Sequence, residues 1–434
     1  MTHDDDTERK HAARRAFLKA GAATAAAGAL GAAATARAAT PARAHKPEVA
    51  SDPMAAAEPF FGEHQGGIVT PQQSHTYAAA FDLTTDKRAD VIRLLREWTD
   101  AAARMTRGES ALPIQANDDT PPADSGEALE LGPAGLTITF GFGPGLFTHE
   151  GKDRYGLAAR RPAALVDLPR FNGDQLLPEK SGGDLYVQAC ANDQQVAFHA
   201  VRQLARMGYG AIQMRWGQAG FVSGSRGKTP RNLMGFKDGT NNPPASDPAS
   251  MAQFVWAGAE GPAWMASGTY TVVRRIRITL EHWDRMQLGF QEQVVGRHKL
   301  SGAPIGKQGE FDAVDLDALD GDGNPMIPEN SHVRLSNPGS NDGMRLLRRA
   351  YSYNDGTNFY IERWPPWRQE TEYDAGLLFI AHQRDPRTGF IPINERLAKF
   401  DMMNQFTTHV GSAIFACPPG AKQGSFIGAG LFEA

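Results

Sequence analysis

Gly235-Phe236-Lys237-Asp238-Gly239-Thr240 and, further along the same half of the chain, Ser331-His332-Val333-Arg334-Leu335-Ser336-Asn337-Pro338 are the stretches that decide how this 434-residue sequence is read. An Asp followed by Gly after an apolar residue is readily held in a turn, which projects the carboxylate over whatever the turn faces. Asp-Gly is also an ordinary hairpin dipeptide, so a turn alone explains Asp238 equally well. His332 is one of 12 histidines, and a lone histidine is most often a surface residue or a satisfied core residue. Its context singles it out: Pro328-Glu329-Asn330 lead directly into a regular element that would hold the ring. A third stretch, Leu347-Arg348-Arg349-Ala350-Tyr351-Ser352-Tyr353, adds two guanidinium groups that stay charged and suit a developing anion. In an extended strand only one of the two arginines can face a given side.

Composition sets the frame for these residues. A chain of this length with 41% hydrophobic residues is globular and long enough for two or three domains. Its formal charge of −4 excludes the basic balance of a nucleic-acid binder. The first residues stand apart from the fold. Arg14-Arg15-Ala16-Phe17-Leu18-Lys19 places twin arginines before an uncharged run of small residues from 20 to 34, the pattern of a twin-arginine export signal. The run is too short and too Ala-rich to span a bilayer. Small-x-small cleavage sites end at Ala38 and Ala44, so residues 1–44 are expected to be signal peptide and the start of a linker that continues through 45–58. Only Cys190 and Cys417 are present, which excludes a disulfide framework and any Cys-x-x-Cys-His attachment of haem.

Periodicity and β-branched content predict strands at 77–83, 136–142, 183–189, 210–217, 269–280, 345–351 and 374–383. Helices are predicted at 89–104, 194–207, 281–295 and 392–403. The acidic, Pro-containing stretch 109–132 reads as a surface excursion. Strands and helices follow the same plan twice, so the chain is expected to be α+β with two similar halves, residues 59–225 and 226–434. Two decoys fall away. Gly141-Phe142-Gly143-Pro144-Gly145 departs from the dinucleotide-loop spacing, and Pro325 stands where a calcium loop starting at Asp320 requires Gly.

Taken together, the Asp238, His332 and Arg348-Arg349 stretches resemble the dye-decolorising peroxidase family, in particular its exported deferrochelatase/peroxidase branch. The resemblance runs from Gly62-Glu63-His64-Gln65 through Gly141-Phe142-Gly143-Pro144-Gly145 to Ala413-Ile414-Phe415-Ala416-Cys417-Pro418-Pro419-Gly420. It implies two ferredoxin-like domains with antiparallel sheets and a haem pocket mainly in the C-terminal half. It implies one non-covalent haem b per chain, His332 as the iron ligand and Asp238 as the acid-base residue. Arg349 is the favoured peroxide-facing guanidinium and Arg348 the alternative, because Ala350 replaces the usual Gly and the register is open. Gly239, Thr240, Asn337, Pro338, Gly339 and Phe379 would lie against the porphyrin, and Phe406 to Ala413 would be a helix packed near it, with His409 not a ligand. Hydrogen peroxide, organic electron donors and haem itself are the implied substrates, with bulky donors oxidised at surface Tyr or Trp residues. Iron-uptake proteins of the envelope and a homo-oligomer are the implied partners, and no transmembrane span is expected in the mature chain. The rival reading is a non-enzymatic haem-binding or haem-delivery protein of the cell envelope, which would need His332 but not Asp238.

Overall fold

The computed structural model describes residues 52–115, 117–224, 227–361 and 369–433, all within one compact unit spanning Ser51–Ala434. The export signal expected in residues 1–44 lies outside the described residues. No helix among those described is long and apolar enough to cross a membrane.

Two four-stranded antiparallel sheets carry the fold. The first comprises β1 (His75–Leu83), β2 (Thr137–Phe142), β3 (Leu185–Ala191) and β4 (Ile212–Phe221), in the order β2-β3-β1-β4. Helices α1 (Arg88–Met105) and α2 (Gln194–Met207) cover its outer face. Asp193 caps α2 by accepting from Val196 N at 2.9 Å. The second sheet repeats the plan with β5 (Thr269–Ile278), the broken strand β6 (Leu347–Arg348) and β7 (Tyr351–Ile361), then β8 (Gln369–Gln383) and β9 (Thr407–Cys417), in the order β9-β5-β8-β7. Both halves therefore share the ferredoxin-like strand order that the family resemblance implied, in the two similar halves that the repeated element plan predicted.

The two sheets close on each other. Single paired residues join them at each seam, Phe142 with Ala416 and Phe221 with Ser352. β5 pairs with both β8 and β9, so the eight long strands form a ring. Side chains alternate across a strand, so every second residue points into the ring. Ala78, Ala80, Tyr186, Cys190, Val273, Tyr351, Leu378, Ile380, Phe415 and Cys417 form this interior cluster. The intervening residues pack outward, under α1 and α2 in one half and onto a cavity in the other.

Two expectations are corrected. Residues 406–413 do not form a helix: Thr407–Cys417 is strand β9, paired with β5 from Thr269 to Ile278. The expected helix 281–295 is two pieces, Leu280–Trp283 and α3 (Leu288–Val295). The break is held by side chains, since Gln291 Nε2 donates to Trp283 O at 3.0 Å and to Met286 O at 3.2 Å.

Candidate active site

A cavity of about 700 Å³ lies against the outward face of β5, β8 and β9. Its apolar wall is the outward set Ile276, Ile278, Leu377 and Phe379, faced by Met234, Phe236 and Val295. Helices α4 (His332–Ser336) and α5 (Phe390–Phe400) close the other side. The volume and apolar lining suit an organic cofactor rather than a small ion.

The turn anticipated at Asp238 is real. Asp238 N donates to Pro230 O at 2.9 Å, and Gly239 follows at φ +114°, a conformation that a side chain at this position would strain. The carboxylate is half-buried at the cavity wall, where Oδ1 accepts from Arg348 NH1 at 2.7 Å and Oδ2 lies 3.4 Å from Asn232 Nδ2. Arg348 is held in turn by Asn242, which donates to its carbonyl at 2.7 Å and accepts from its N–H at 3.2 Å. Thr240 and Lys237 both bond to Glu310, fixing the far side of the turn.

His332 opens α4 and lines the same cavity. Its Nδ1 lies 2.6 Å from Oδ2 of the buried Asp401, whose Oδ1 accepts from Met403 N at 2.8 Å. Burial disfavours the imidazolium, but the Asp401 carboxylate outweighs it and holds the His332 pKa above its ordinary value. With Nδ1 engaged by Asp401, Nε2 is the ring nitrogen left for the cavity that His332 lines. A histidine whose second nitrogen meets a buried carboxylate is the arrangement of an oriented, strongly basic metal ligand. Asp401 was missed from the sequence, where nothing separates it from the other acidic residues.

The favoured arginine is a correction. Arg349 does not reach the cavity: it is buried, with NH1 donating to Thr70 O at 2.6 Å and NH2 to Pro71 O and Gln73 Oε1. Its backbone N–H bonds Ile380 O, which turns its side chain to the ring interior and the neighbouring Arg348 to the cavity. Gly239, Thr240, Asn337, Pro338 and Phe379 line the cavity. Gly339 is not among the lining residues; its N–H is taken by Asn337 Oδ1 at 2.8 Å in the turn behind the wall. His409 does line it, with Nδ1 accepting from Arg274 Nε at 2.9 Å. Burial first and Arg274 second push its pKa down to about 3, so it faces the cavity as a neutral ring.

Comparison with known proteins agrees with this geometry. The family model described as Dyp-type peroxidase, N-terminal matches residues 65–222, and Dyp-type peroxidase, C-terminal matches residues 229–422. The chain belongs to the Dyp-type peroxidases. A dye-decolorizing peroxidase of Thermobifida fusca is 40% identical over 385 residues, covering 85% of this chain and 84% of the relative. A deferrochelatase of Escherichia coli K12 is 37% identical over 385 residues, covering 86% and 87%. Among solved structures, ferric DtpA of Streptomyces lividans superposes with a TM-score of 0.78 at 39% identity, covering 88% of this chain and 98% of that one. The DyP-type peroxidase of Cellulomonas bogoriensis gives 0.77 at 40% identity, covering 88% and 100%. The peroxidase is thus an oxidoreductase that holds haem b without a covalent bond, and its own residues fit that group. A basic imidazole and an acid–guanidinium pair line one apolar cavity, and both cysteines are buried in the ring interior, away from it.

Proposed function

We propose that His332 would hold the iron of bound haem and that Asp238 and Arg348, in the same cavity, would handle peroxide. The observation that carries this reading is the 2.7 Å Asp238–Arg348 pair in the same cavity as His332, close enough for both charges to act on the imidazole. Haem b, when bound, supplies the iron and the redox capacity for reducing hydrogen peroxide by two electrons and oxidising donors by one electron at a time. Asp238 Oδ2, weakly engaged by Asn232, is free to take the proton from the inner peroxide oxygen and return it to the outer one, which leaves as water. Arg348 has N–H groups beyond the one given to Asp238, and these meet the charge that builds on the leaving oxygen. Asp401 keeps His332 oriented and electron-rich throughout.

The Asp238–Arg348 pair favours turnover over simple haem carriage, since a carrier needs only the ligand. A visible absorption titration of haem into the mature protein and its His332→Ala variant tests the ligand, and a peroxide pulse tests turnover. A stoichiometric Soret band that depends on His332 and changes with peroxide is expected. Binding without that change favours a carrier, and no binding overturns the reading. Asp238→Asn should keep the Soret band and lose peroxide reduction on the order of 10²–10⁴-fold.

A second activity, release of iron from haem with the porphyrin intact, is supported by the 37% identity to proteins called deferrochelatase. Free protoporphyrin among the products would support it, and its absence would remove it. We further infer export by the twin-arginine route to the periplasm or beyond, which a double lysine replacement of Arg14 and Arg15 should block. Contact with iron-uptake proteins of the envelope follows only if deferrochelation holds. Self-association into a homo-oligomer is open to light scattering.

A further inference from the structure

Lys237 is the charged residue of the Asp238 turn that peroxide chemistry leaves unused. It lines the cavity next to Asp238, on a flexible stem that ends in a compact positive charge. Asp238 has an oxygen that could receive it. Oδ1 is taken by Arg348, whereas Oδ2 is engaged weakly, by Asn232 at 3.4 Å, beyond the usual range of an N–H···O bond. An ammonium seated on Oδ2 would occupy the atom that has to take the peroxide proton. Glu310 holds the ammonium elsewhere.

The Glu310 carboxylate accepts from the Lys237 ammonium and, on Oε1, from Thr240 Oγ1 at 3.2 Å, and the Thr229 side chain bonds to it as well. The pair is largely withdrawn from water, with the Lys237 side chain 20% and the Glu310 side chain 11% exposed. Burial works against the Glu310 charge, but the donors from Lys237, Thr229 and Thr240 outweigh it and hold the carboxyl below its ordinary range. The loop carrying Glu310 is tied down around this contact. Arg297 NH1 donates to Gly302 O at 2.7 Å and to Glu310 O at 2.9 Å. Gly302, at φ +77°, leaves room for the two side chains to meet: a Cβ there would stand 2.7 Å from Lys237 Cδ and 3.4 Å from Glu310 Cγ. Arg231, bridged to Lys237 through the backbone, gives its guanidinium to the carbonyls of Gly235, Lys299 and Leu300. The two residues that flank the acid–base turn, Lys237 and Thr240, are thus both anchored on one carboxylate.

We propose that Glu310 is a positioning residue for peroxide reduction: by holding the Lys237 ammonium on the far side of the turn, it keeps Asp238 Oδ2 open to the peroxide proton. This rests on the reading of Asp238 as the acid–base residue.

Glu310→Gln keeps the shape of the side chain and an acceptor for Thr240 while removing the charge that holds Lys237. In the holoprotein it should retain the Soret band and slow peroxide reduction on the order of 10–100-fold. In a Lys237→Met background the same replacement should change the rate by less than about threefold, because no ammonium is left to move. A role in packing alone gives the opposite pattern, a loss that persists without Lys237. Cyanide supplies a readout apart from turnover. Hydrogen cyanide, like hydrogen peroxide, gives up a proton as it binds, so its association rate, followed at the Soret band, should fall in Glu310→Gln and recover in the double variant. A crystal structure of Glu310→Gln should place Lys237 Nζ within hydrogen-bond distance of Asp238 Oδ2. Parental rates in Glu310→Gln, a loss that does not depend on Lys237, or an ammonium that stays where it was would each overturn the proposal and leave Asp238 in its role. Silence of Asp238→Asn in both assays would instead remove the reading of Asp238, and this inference with it.

Discussion

Arg348 and Arg349 show how a single residue step separates chemistry from architecture. Alternation along an extended chain was legible in the sequence, and it required that only one of them face the cavity. Which one depends on the pairing of Arg348 with Ala381 of β8, a contact distant in sequence and without a local signature. The two replacements should therefore differ in kind. Arg348→Gln is expected to slow peroxide reduction on the order of 10²–10³-fold while changing stability by less than about 1 kcal/mol. Arg349→Gln strips donors from Thr70 O, Pro71 O and Gln73, and should cost about 2–4 kcal/mol in denaturant melts with peroxide chemistry retained in the folded fraction. The reverse pattern would return Arg349 to the cavity. Asp401 makes the same point about legibility, since its role exists only through a 2.6 Å contact to His332 across 69 residues. Asp401→Asn should leave the Soret band in place, make the imidazole less basic, and raise the ferric/ferrous potential with a 10–100-fold loss in haem affinity or activity, by the order of effect such partners have. An unchanged potential in spectroelectrochemistry would show that Asp401 only packs.

At the scale of elements, α2 appears over the residues that periodicity assigned it, 194–207, because its apolar stripe and its Asp193 cap are both local. β9 was the failure. Thr407, Thr408 and Val410 favour a strand, and reading the segment as a helix set that preference aside; what fixes it is pairing with β5. Ring closure was equally illegible, because it rests on two short seams between strands distant in sequence, Phe142 with Ala416 and Phe221 with Ser352. Gly376 in β8 is a tight point of the β5–β8 pairing that continues the ring between those seams. A Cβ there would stand 1.9 Å from Ile276 O, a backbone atom that cannot swing aside. Gly376→Ala should therefore open the β5–β8 pairing and cost roughly 3 kcal/mol or more. Hydrogen exchange should show lost protection in both strands, and Ile276 and Leu377, which line the cavity, would carry the damage into haem retention. A variant as stable as the parent would mean that the close approach of Gly376 to Ile276 does not hold this pairing together.

For the molecule as a whole, two neutral histidines set the response to acid. His382 in the ring interior and His409 at the cavity are both held near pKa 3, by burial first and by Arg349 and Arg274 respectively. In the unfolded chain both titrate near 6.5. Between about pH 6.5 and 5 the unfolded state therefore binds protons that the folded state refuses, so stability rises with pH across this window and is lost as pH falls through it. Each histidine contributes at most about 1.4 kcal/mol per pH unit. His332, whose pKa is raised, would oppose this in protein lacking haem, but in the holoprotein it is engaged as the ligand. Carboxylates held low, such as Glu127 at about 2, lose their contribution only below the ordinary carboxylate range and leave this window to the histidines. Denaturant melts of the holoprotein at pH 7 and pH 5 should show a steep loss of stability, and His382→Gln should remove a large share of the slope. A flat profile would mean that both rings accept their protons in the folded state, and a slope unmoved by His382→Gln would assign the acid response to His409 and to the half-buried His75, whose pKa burial also lowers.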